Sequence, residues 1–165
     1  HLIEQGCSRI AYLVINKNLS IGKTRMQGYI DALEKHQIPY DDKLVIDCSN
    51  SYEENNVILK KMLKEVKPEG VFTSVERLAF ATYYACYDLN ISIPKDLKVI
   101  GFSSLEIAPL LNPSLTTITQ PATKIGVEAA ALLFQMLESP ESVNADTKVV
   151  LNSTLVQRRS TENRP

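Results

Sequence analysis

Short apolar segments of strand length alternate with amphipathic segments of helical length along the 165-residue chain. The stretches RIAYLVI (9–15), GVFT (70–73) and DLKVIGF (96–102) contain few polar side chains, as is typical of strands buried on both faces of a sheet. A further short strand is predicted over residues 44–46. Helices that connect successive strands imply right-handed crossovers, so the sequence predicts an α/β fold, a parallel sheet with helices on both faces.

Three segments between these strands have the apolar spacing of amphipathic helices. The predicted helices cover residues 24–36, 51–66 and 76–89. The second begins with Ser51, and Glu54 follows three residues later, which is the spacing of a capping box.

The overall charge and the cysteine pattern exclude several classes of protein. A formal net charge of −1 gives no basic surface for nucleic acid, so this chain alone is not expected to bind DNA. The longest apolar run, residues 129–134, is far too short to cross a bilayer, and no membrane partner is expected. The three cysteines are far apart and form no CxxC pair, which argues against disulfides and a zinc site. Reduced thiols are typical of the cytoplasm, the expected location.

The amino end has the pattern of a helix terminus. Residues 2–5 resemble a last helical turn, which Gly6 would stop. The chain starts with neither an initiator methionine nor a signal-type segment, so we expect it to be a piece of a longer protein.

Parallel sheets bind ligands at the carboxyl ends of their strands, where this chain has the loops NKNLSIGKT, DCSNS, SVER and SSLEIAPLLNP. These loops contain no GxGxxG and no GxxxxGK[ST] motif, so no dinucleotide site, P-loop or other cofactor site is expected. HExxH and GxSxG are absent as well, so we predict no catalytic residues and no metal site. His36 is interpreted as a solvated residue at a helix end and Cys86 as a packed thiol.

Five stretches occur in an order and a spacing that resemble one known family. They are HLIEQGCSRIAYL (1–13), RMQGYIDAL (25–33), IPKDLKVIGFSS (93–104), NPSLTTITQP (112–121) followed by IGVEAAALL (125–133), and LNSTLVQRRST (151–161). Along essentially its whole length the chain is similar to the effector-binding domain of the LacI/GalR transcription regulators, whose fold is periplasmic-binding-protein-like (type I). The resemblance implies a sensor of a sugar or sugar derivative, with operator DNA bound only through a helix-turn-helix upstream of this chain.

The same resemblance implies a division of the chain, because the effector domains of this family have two lobes joined by crossing strands. Residues 1–118 would form the C-terminal lobe, and residues 119–145 a crossing segment with a helix that belongs to the N-terminal lobe. Residues 146–165 would form a returning strand, within KVVLNSTLVQRR (148–159), and a tail. Pro121 suits the first turn of the helix because its missing N–H costs nothing there.

Three residues of an effector cleft follow from the resemblance. Arg25 stands at the start of the predicted helix 24–36, where the family has an arginine that hydrogen-bonds effector hydroxyls. Ser103 stands where relatives commonly have an aspartate, and Glu76 follows a strand at a position that is also often acidic. Alternatively, Arg25 is a surface cation and Glu76 is an acid favoured by the helix dipole.

Four further residues are weaker candidates for this cleft because they lie at strand ends or at the crossing: Cys48, Asn50, Ser74 and Gln120. Each is equally explained as a loop or capping residue.

The serine at position 103 leads to a hypothesis about the effector. Without the usual carboxylate, Arg25 lacks one negative partner, and Lys23 adds to the positive charge. The cleft would then favour an anionic effector, such as a sugar acid or a phosphorylated sugar. The alternative is that Glu76 or the other lobe restores neutrality.

Apolar residues crowd the helix 76–89 and the loop that follows VIGF, and not all of them can face one core. They are Phe80, Tyr83, Tyr84, Tyr87, Leu105, Ile107, Leu110 and Leu111. Relatives in the family dimerise through the corresponding elements, so a homodimer is expected. The alternative is that most of these side chains pack internally.

A transporter's binding protein and an enzyme are the alternatives to a regulator. A periplasmic sugar-binding protein of a transporter would share the fold, but the ending LVQRRST resembles the regulators. An enzyme would need a convergent set of nucleophile, base or metal ligands, which the strand-end loops do not offer.

Overall fold

A computed structural model describes residues 1–139 and 147–162 of the chain. Within these residues, six strands form one sheet in the order β2-β1-β3-β4-β5-β6. They are β1 (Ile10–Ile15), β2 (Val45–Cys48), β3 (Gly70–Thr73), β4 (Lys98–Phe102), β5 (Thr116–Thr119) and β6 (Thr154–Val156). The first five strands are parallel, and β6 pairs antiparallel to β5. The predicted α/β class is confirmed.

Helices cover both faces of this sheet, as the sequence predicted. They are α1 (Ser20–Lys35) on one face and α2 (Tyr52–Glu65) and α3 (Glu76–Asp88) on the other. A fourth helix, α4 (Ala122–Glu138), follows β5 and belongs to neither core cluster. Tyr12 of β1 packs with Tyr29 of α1 on one face, while its neighbour Leu13 packs with Leu59 and Leu78 of α2 and α3 on the other. Consecutive residues of a strand point to opposite faces, so a strand buried on both sides must be continuously apolar.

The helix α1 begins at Ser20, four residues before the predicted start at Thr24. This start carries no capping signal, because the N-cap residue Leu19 has no side-chain group that could make a capping bond. Arg25 is therefore the sixth residue of α1 and not, as predicted, a residue of the helix start. The unfavourable effect of the helix dipole on a cation is confined to the first turn and does not reach it.

Three other predicted boundaries can be compared with the structure. The strand predicted over 44–46 is β2, Val45–Cys48, and Leu44 ends a 3-10 turn before it. Ser51 caps α2 by accepting the Glu54 N–H at 3.3 Å, but its own hydroxyl donates to Glu53 at 2.9 Å. The returning strand is only Thr154–Val156, because its partner β5 offers just Thr117–Thr119 for pairing.

The amino-terminal turn has the hydrogen bonds of a helix end. The Gln5 N–H donates to the His1 carbonyl, and the Cys7 N–H donates to the Leu2 carbonyl, both at 3.0 Å. Gly6 between them has φ +88°, the left-handed conformation that closes a helix and that glycine adopts without strain.

The carboxyl-terminal residues 158–161 are fixed into the edge of the sheet by buried hydrogen bonds. Ser160 is completely buried, and its hydroxyl donates to the Val99 carbonyl of β4 at 2.5 Å and accepts the Thr116 N–H of β5 at 2.8 Å. The Arg158 guanidinium donates to the Leu115 carbonyl at 2.7 Å. This tail therefore satisfies backbone groups that two strands would otherwise leave buried without partners.

The helix α4 differs from the other three helices because none of its residues is buried. Its large apolar side chains are exposed, with Leu137 at 69% and Phe134 at 62% of full exposure. Within the described residues, no helix has both the length and the apolar character needed to cross a membrane.

Candidate functional site

Arg25 joins three elements at the carboxyl edge of the sheet. It extends from α1, and its Nη1 donates to the Ser74 carbonyl, just after β3, at 2.5 Å. The guanidinium carbon also lies 3.9 Å from the centre of the Phe102 ring, at the end of β4. Both contacts are with uncharged groups, so they hold the side chain in place and leave its positive charge uncompensated.

The charge of Arg25 has no ion-pair partner among the described residues, where the ion pairs are Lys17–Asp47 and Lys60–Asp88. Partial burial lowers the pKa of Arg25, while Tyr12, in its ionised form only, and the Glu76 carboxylate act to raise that pKa. Arginine nevertheless remains protonated in proteins. The edge of the sheet thus presents a half-buried cation, with one carboxylate nearby but beyond ion-pair distance.

Ser103 is buried at the same edge and is fixed by its own loop. Its hydroxyl oxygen accepts the Leu105 N–H at 3.1 Å, and its carbonyl accepts the Thr119 hydroxyl at 3.2 Å. With one lone pair of the oxygen occupied by the Leu105 N–H, this hydroxyl still has its O–H donor and a second lone pair for a ligand. A carboxylate at this position would offer only acceptors.

The other predicted cleft residues have different surroundings. Ser74 is buried and meets Arg25 through its carbonyl, while Glu76 is the first residue of α3 and acts on Arg25 only through its charge. Asn50 is exposed and accepts a hydrogen bond from Arg77 at 2.6 Å. Gln120 is exposed, and its backbone N–H donates to the Ser104 hydroxyl at 3.2 Å.

Cys48, at the end of β2, and Cys86, in the last turn of α3, both have the character of packed thiols. Burial raises the pKa of Cys48 to about 12, and the Asp47 carboxylate adds to the rise. Burial likewise raises the pKa of Cys86 to about 12. Thiols with such pKa values are poor nucleophiles at neutral pH. In the part of the chain that the structure describes, no group of three or more metal-binding side chains comes together.

Two aromatic residues near Arg25 were not among the predicted site residues. The Arg25 guanidinium lies over the ring of Phe102. Tyr12 is buried, and its ring stacks on Tyr29 and Phe72 at centroid distances of 5.4 and 5.3 Å. Burial raises the pKa of Tyr12, whereas the charge of Arg25 acts to lower it. Strand alternation is the signal that indicates Tyr12, because Tyr12, Phe72 and Ile100 form one row across the sheet, facing α1. Alternation places Phe102 on the same face as Ile100 but does not indicate its contact with Arg25.

An apolar cavity of about 430 Å³ lies behind Arg25, between α1, the amino-terminal turn and the sheet. Its floor consists of Phe72, Ile100, Phe102 and Ile118. Few polar groups line it, so the polar chemistry of this region is concentrated at the strand ends.

The surface predicted for dimerisation is partly exposed and partly packed. Tyr84, Tyr87 and Leu110 are exposed, with Leu110 at 80%. Tyr83 and Leu111 instead pack against the core beneath α3, and the Tyr83 hydroxyl donates to the Pro113 carbonyl at 2.8 Å. Phe80 is half-buried, which is consistent with the alternative that most of these apolar side chains pack internally.

Known proteins resemble this chain in both sequence and structure. The family model described as periplasmic binding protein-like domain matches residues 1–161. The ribose operon repressor of Haemophilus influenzae is 30% identical over 160 residues, which are 96% of this chain and 48% of the repressor. The chain therefore spans about half the length of this relative.

Two solved structures have the same fold. One is a sugar-binding transcriptional regulator of the LacI family from Escherichia coli, complexed with phosphate, with a TM-score of 0.84 and 25% identity. The match covers 96% of this chain and 56% of that one. The other is a LacI family transcriptional regulator from Enterococcus faecium with bound ribose, with a TM-score of 0.84 and 28% identity, covering 97% and 59%.

Proposed function

The chain belongs to the LacI family of transcription regulators, as their periplasmic binding protein-like domain, and from this membership we propose that it senses a sugar or sugar derivative and thereby controls operator DNA binding. Operator DNA would be bound by a helix-turn-helix outside the chain, in keeping with the net charge of −1. The site of action would be the cytoplasm. A transporter's periplasmic binding protein is not favoured, because the relatives named above are transcription regulators.

The observation that carries this proposal is the uncompensated Arg25 at the carboxyl edge of a parallel sheet. Ligands bind to open α/β sheets at this edge. Arg25, Ser103, Ser74 and Glu76 would contact or surround the effector, with Asn50 and Gln120 further out. The chemistry is binding without catalysis.

We assign residues 1–118 to one lobe, 119–145 to a crossing and a helix of a second lobe, and 146–165 to the return. The exposed apolar side chains of α4 support this division, because a helix with such an apolar face normally packs against another element. An effector bound between two lobes favours their closed arrangement. The free energy by which the effector changes DNA affinity equals the difference between its binding free energies for the open and the closed states.

The effector is proposed to be an anion, such as a sugar acid or a phosphorylated sugar. Arg25 offers N–H donors, and the Ser103 hydroxyl offers an O–H donor, which a carboxylate at that position would lack. Lys23 is exposed on α1 and adds positive charge. An arrangement of donors without a bound carboxylate is complementary to an acceptor-rich, negative ligand.

Matched sets of sugars test this proposal on the complete natural protein. Ribose, ribonate and ribose 5-phosphate form one set, and glucose, gluconate and glucose 6-phosphate form another. We expect an anionic member to raise the melting temperature and to bind more tightly in calorimetric titration than its neutral parent. Tighter binding of the neutral sugar in both sets would disprove the anionic effector, and binding of no member would contradict sugar sensing altogether.

A homodimer is proposed to form through α3 and the loop 105–111, where Tyr84, Tyr87 and Leu110 are exposed. Replacing Leu110 with glutamate places a charge in the centre of this surface, and we expect the mass measured by light scattering to fall by half. Leu110 is the suitable position because Leu111 packs against the core, so a charge there would also unfold the lobe.

The matched control is Val57→Glu, which places the same charge on α2 at a residue that is 69% exposed. This variant should keep the mass of the natural protein. A Leu110→Glu variant that remains a dimer would show that the dimer interface lies elsewhere.

A further inference from the structure

The position of Arg25 depends on two neutral contacts of different kinds. The Ser74 carbonyl accepts one hydrogen bond from Nη1, and the face of the Phe102 ring lies 3.9 Å from the guanidinium carbon. A guanidinium has five N–H donors. Only the bond to Ser74 uses one of them within the described residues, because a ring face attracts a cation without accepting a directed hydrogen bond.

The alternative way to hold an arginine is a carboxylate, which has different consequences. A carboxylate in a bidentate pair occupies two N–H groups and cancels the charge. The Phe102 ring fixes the guanidinium plane and leaves both the charge and the remaining donors available.

Both contacts are themselves fixed by the sheet. Phe102 ends β4, where it is paired with Ile118 of β5 and lines the apolar cavity. The Ser74 N–H donates to the Leu13 carbonyl of β1 at 2.9 Å, which holds the carbonyl that faces Arg25. A site on strand ends is more rigid than one on a loop, and its groups lose less freedom when a ligand binds.

We propose that Phe102 is a positioning residue that presets the charged Arg25 for an anionic group of the effector, such as a carboxylate or a phosphate. The inference rests on the proposed function, since it assigns a role within the same cleft. Phe102 does not touch the ligand in this arrangement; it acts through Arg25.

The positioning can be measured without any ligand. A guanidinium over a ring face has its Nε–H proton signal shifted upfield by the ring current, and the Arg25 signal can be assigned by its loss in Arg25→Lys. In nitrogen-15 spectra of the complete protein, we expect this shift in the natural protein and in Phe102→Tyr, and its loss in Phe102→Leu. Phe72→Leu is the matched control, because Phe72 lines the same cavity but stacks on Tyr12.

Binding provides the second readout, with ribonate and ribose 5-phosphate as probes. Phe102→Leu should weaken the tighter-binding probe roughly fivefold to thirtyfold, the range expected from loss of one partly buried cation–π contact. Phe102→Tyr should restore the affinity, and Phe102→Leu should cause no further loss when added to Arg25→Gln.

The outcomes separate this inference from the proposed function. If Arg25→Gln abolishes binding while Phe102→Leu binds as the natural protein does, or if the upfield shift is absent, Phe102 has no positioning role and the proposed function stands. If no anionic member of either sugar set binds the natural protein, the anionic effector and the role of Phe102 both fail.

Discussion

Replacement of Arg25 by glutamine is expected to weaken binding of the tightest anionic sugar derivative about a hundredfold, since two hydrogen bonds to a charged group contribute about 1.5–3 kcal/mol each, part of which glutamine keeps. Glutamine has a similar length and retains an amide donor, but it removes the charge and the planar fork. The affinity of Arg25→Lys should lie between those of the natural protein and of Arg25→Gln, because lysine keeps the charge and loses the bidentate geometry. Calorimetric titration of the complete protein measures both affinities.

The control for charge alone is Lys23→Gln, which removes an exposed cation from the same helix. An exposed charge is screened by solvent, so this change should alter the affinity by only a few fold. Equal losses for the two variants would mean that general positive charge, and not a preset guanidinium, attracts the ligand. An unchanged affinity in Arg25→Gln would show that Arg25 is not part of the binding site.

Replacement of Ser160 by alanine is expected to lower the free energy of unfolding by about 2–4 kcal/mol, a large part of the stability of an ordinary domain. The Ser160 hydroxyl serves two buried backbone groups, the Val99 carbonyl and the Thr116 N–H. Alanine leaves both without this partner in a place that water does not reach. Urea unfolding followed by circular dichroism measures the change.

Ser104→Ala is the matched control, because Ser104 is exposed and its hydroxyl bonds only to the backbone of the exposed Gln120. Water can replace those bonds, so the loss should stay below about 0.5 kcal/mol. A loss of unfolding free energy for Ser160→Ala that is as small as the loss for Ser104→Ala would show that the tail contributes little to the stability of the sheet.

The strands and the two-faced sheet were predictable because burial on both sides leaves a direct mark in the sequence. Residues 70–73 were predicted as a strand and are β3, Gly70–Thr73, without any shift. The start of α1 was missed because Leu19 gives no capping signal. Tyr83 and Leu111 show a similar limit: whether an apolar residue on a crowded helix or loop faces the core depends on neighbours that are distant in sequence.

The candidate site was predictable only in part. The family resemblance indicated Arg25 and Ser103, but not the groups that hold them. Ser74 was a weaker candidate because it lies at a strand end, and its carbonyl meets Arg25 across 49 positions of sequence. Phe102 looks like an ordinary strand residue until the fold brings Arg25 of α1 over its ring.

The buried tail sets an order on how the lobe folds during synthesis. Ser160 closes a contact with Val99 across 61 positions, and Thr161 lies 2.9 Å from the ring of His1, which is 160 positions away. Contacts between such distant residues must wait until both partners exist, and they slow folding because a long loop has to close. β4 and β5 therefore remain without these partners until the ribosome has passed residue 161, and during that interval this edge of the sheet is open to pairing with other chains.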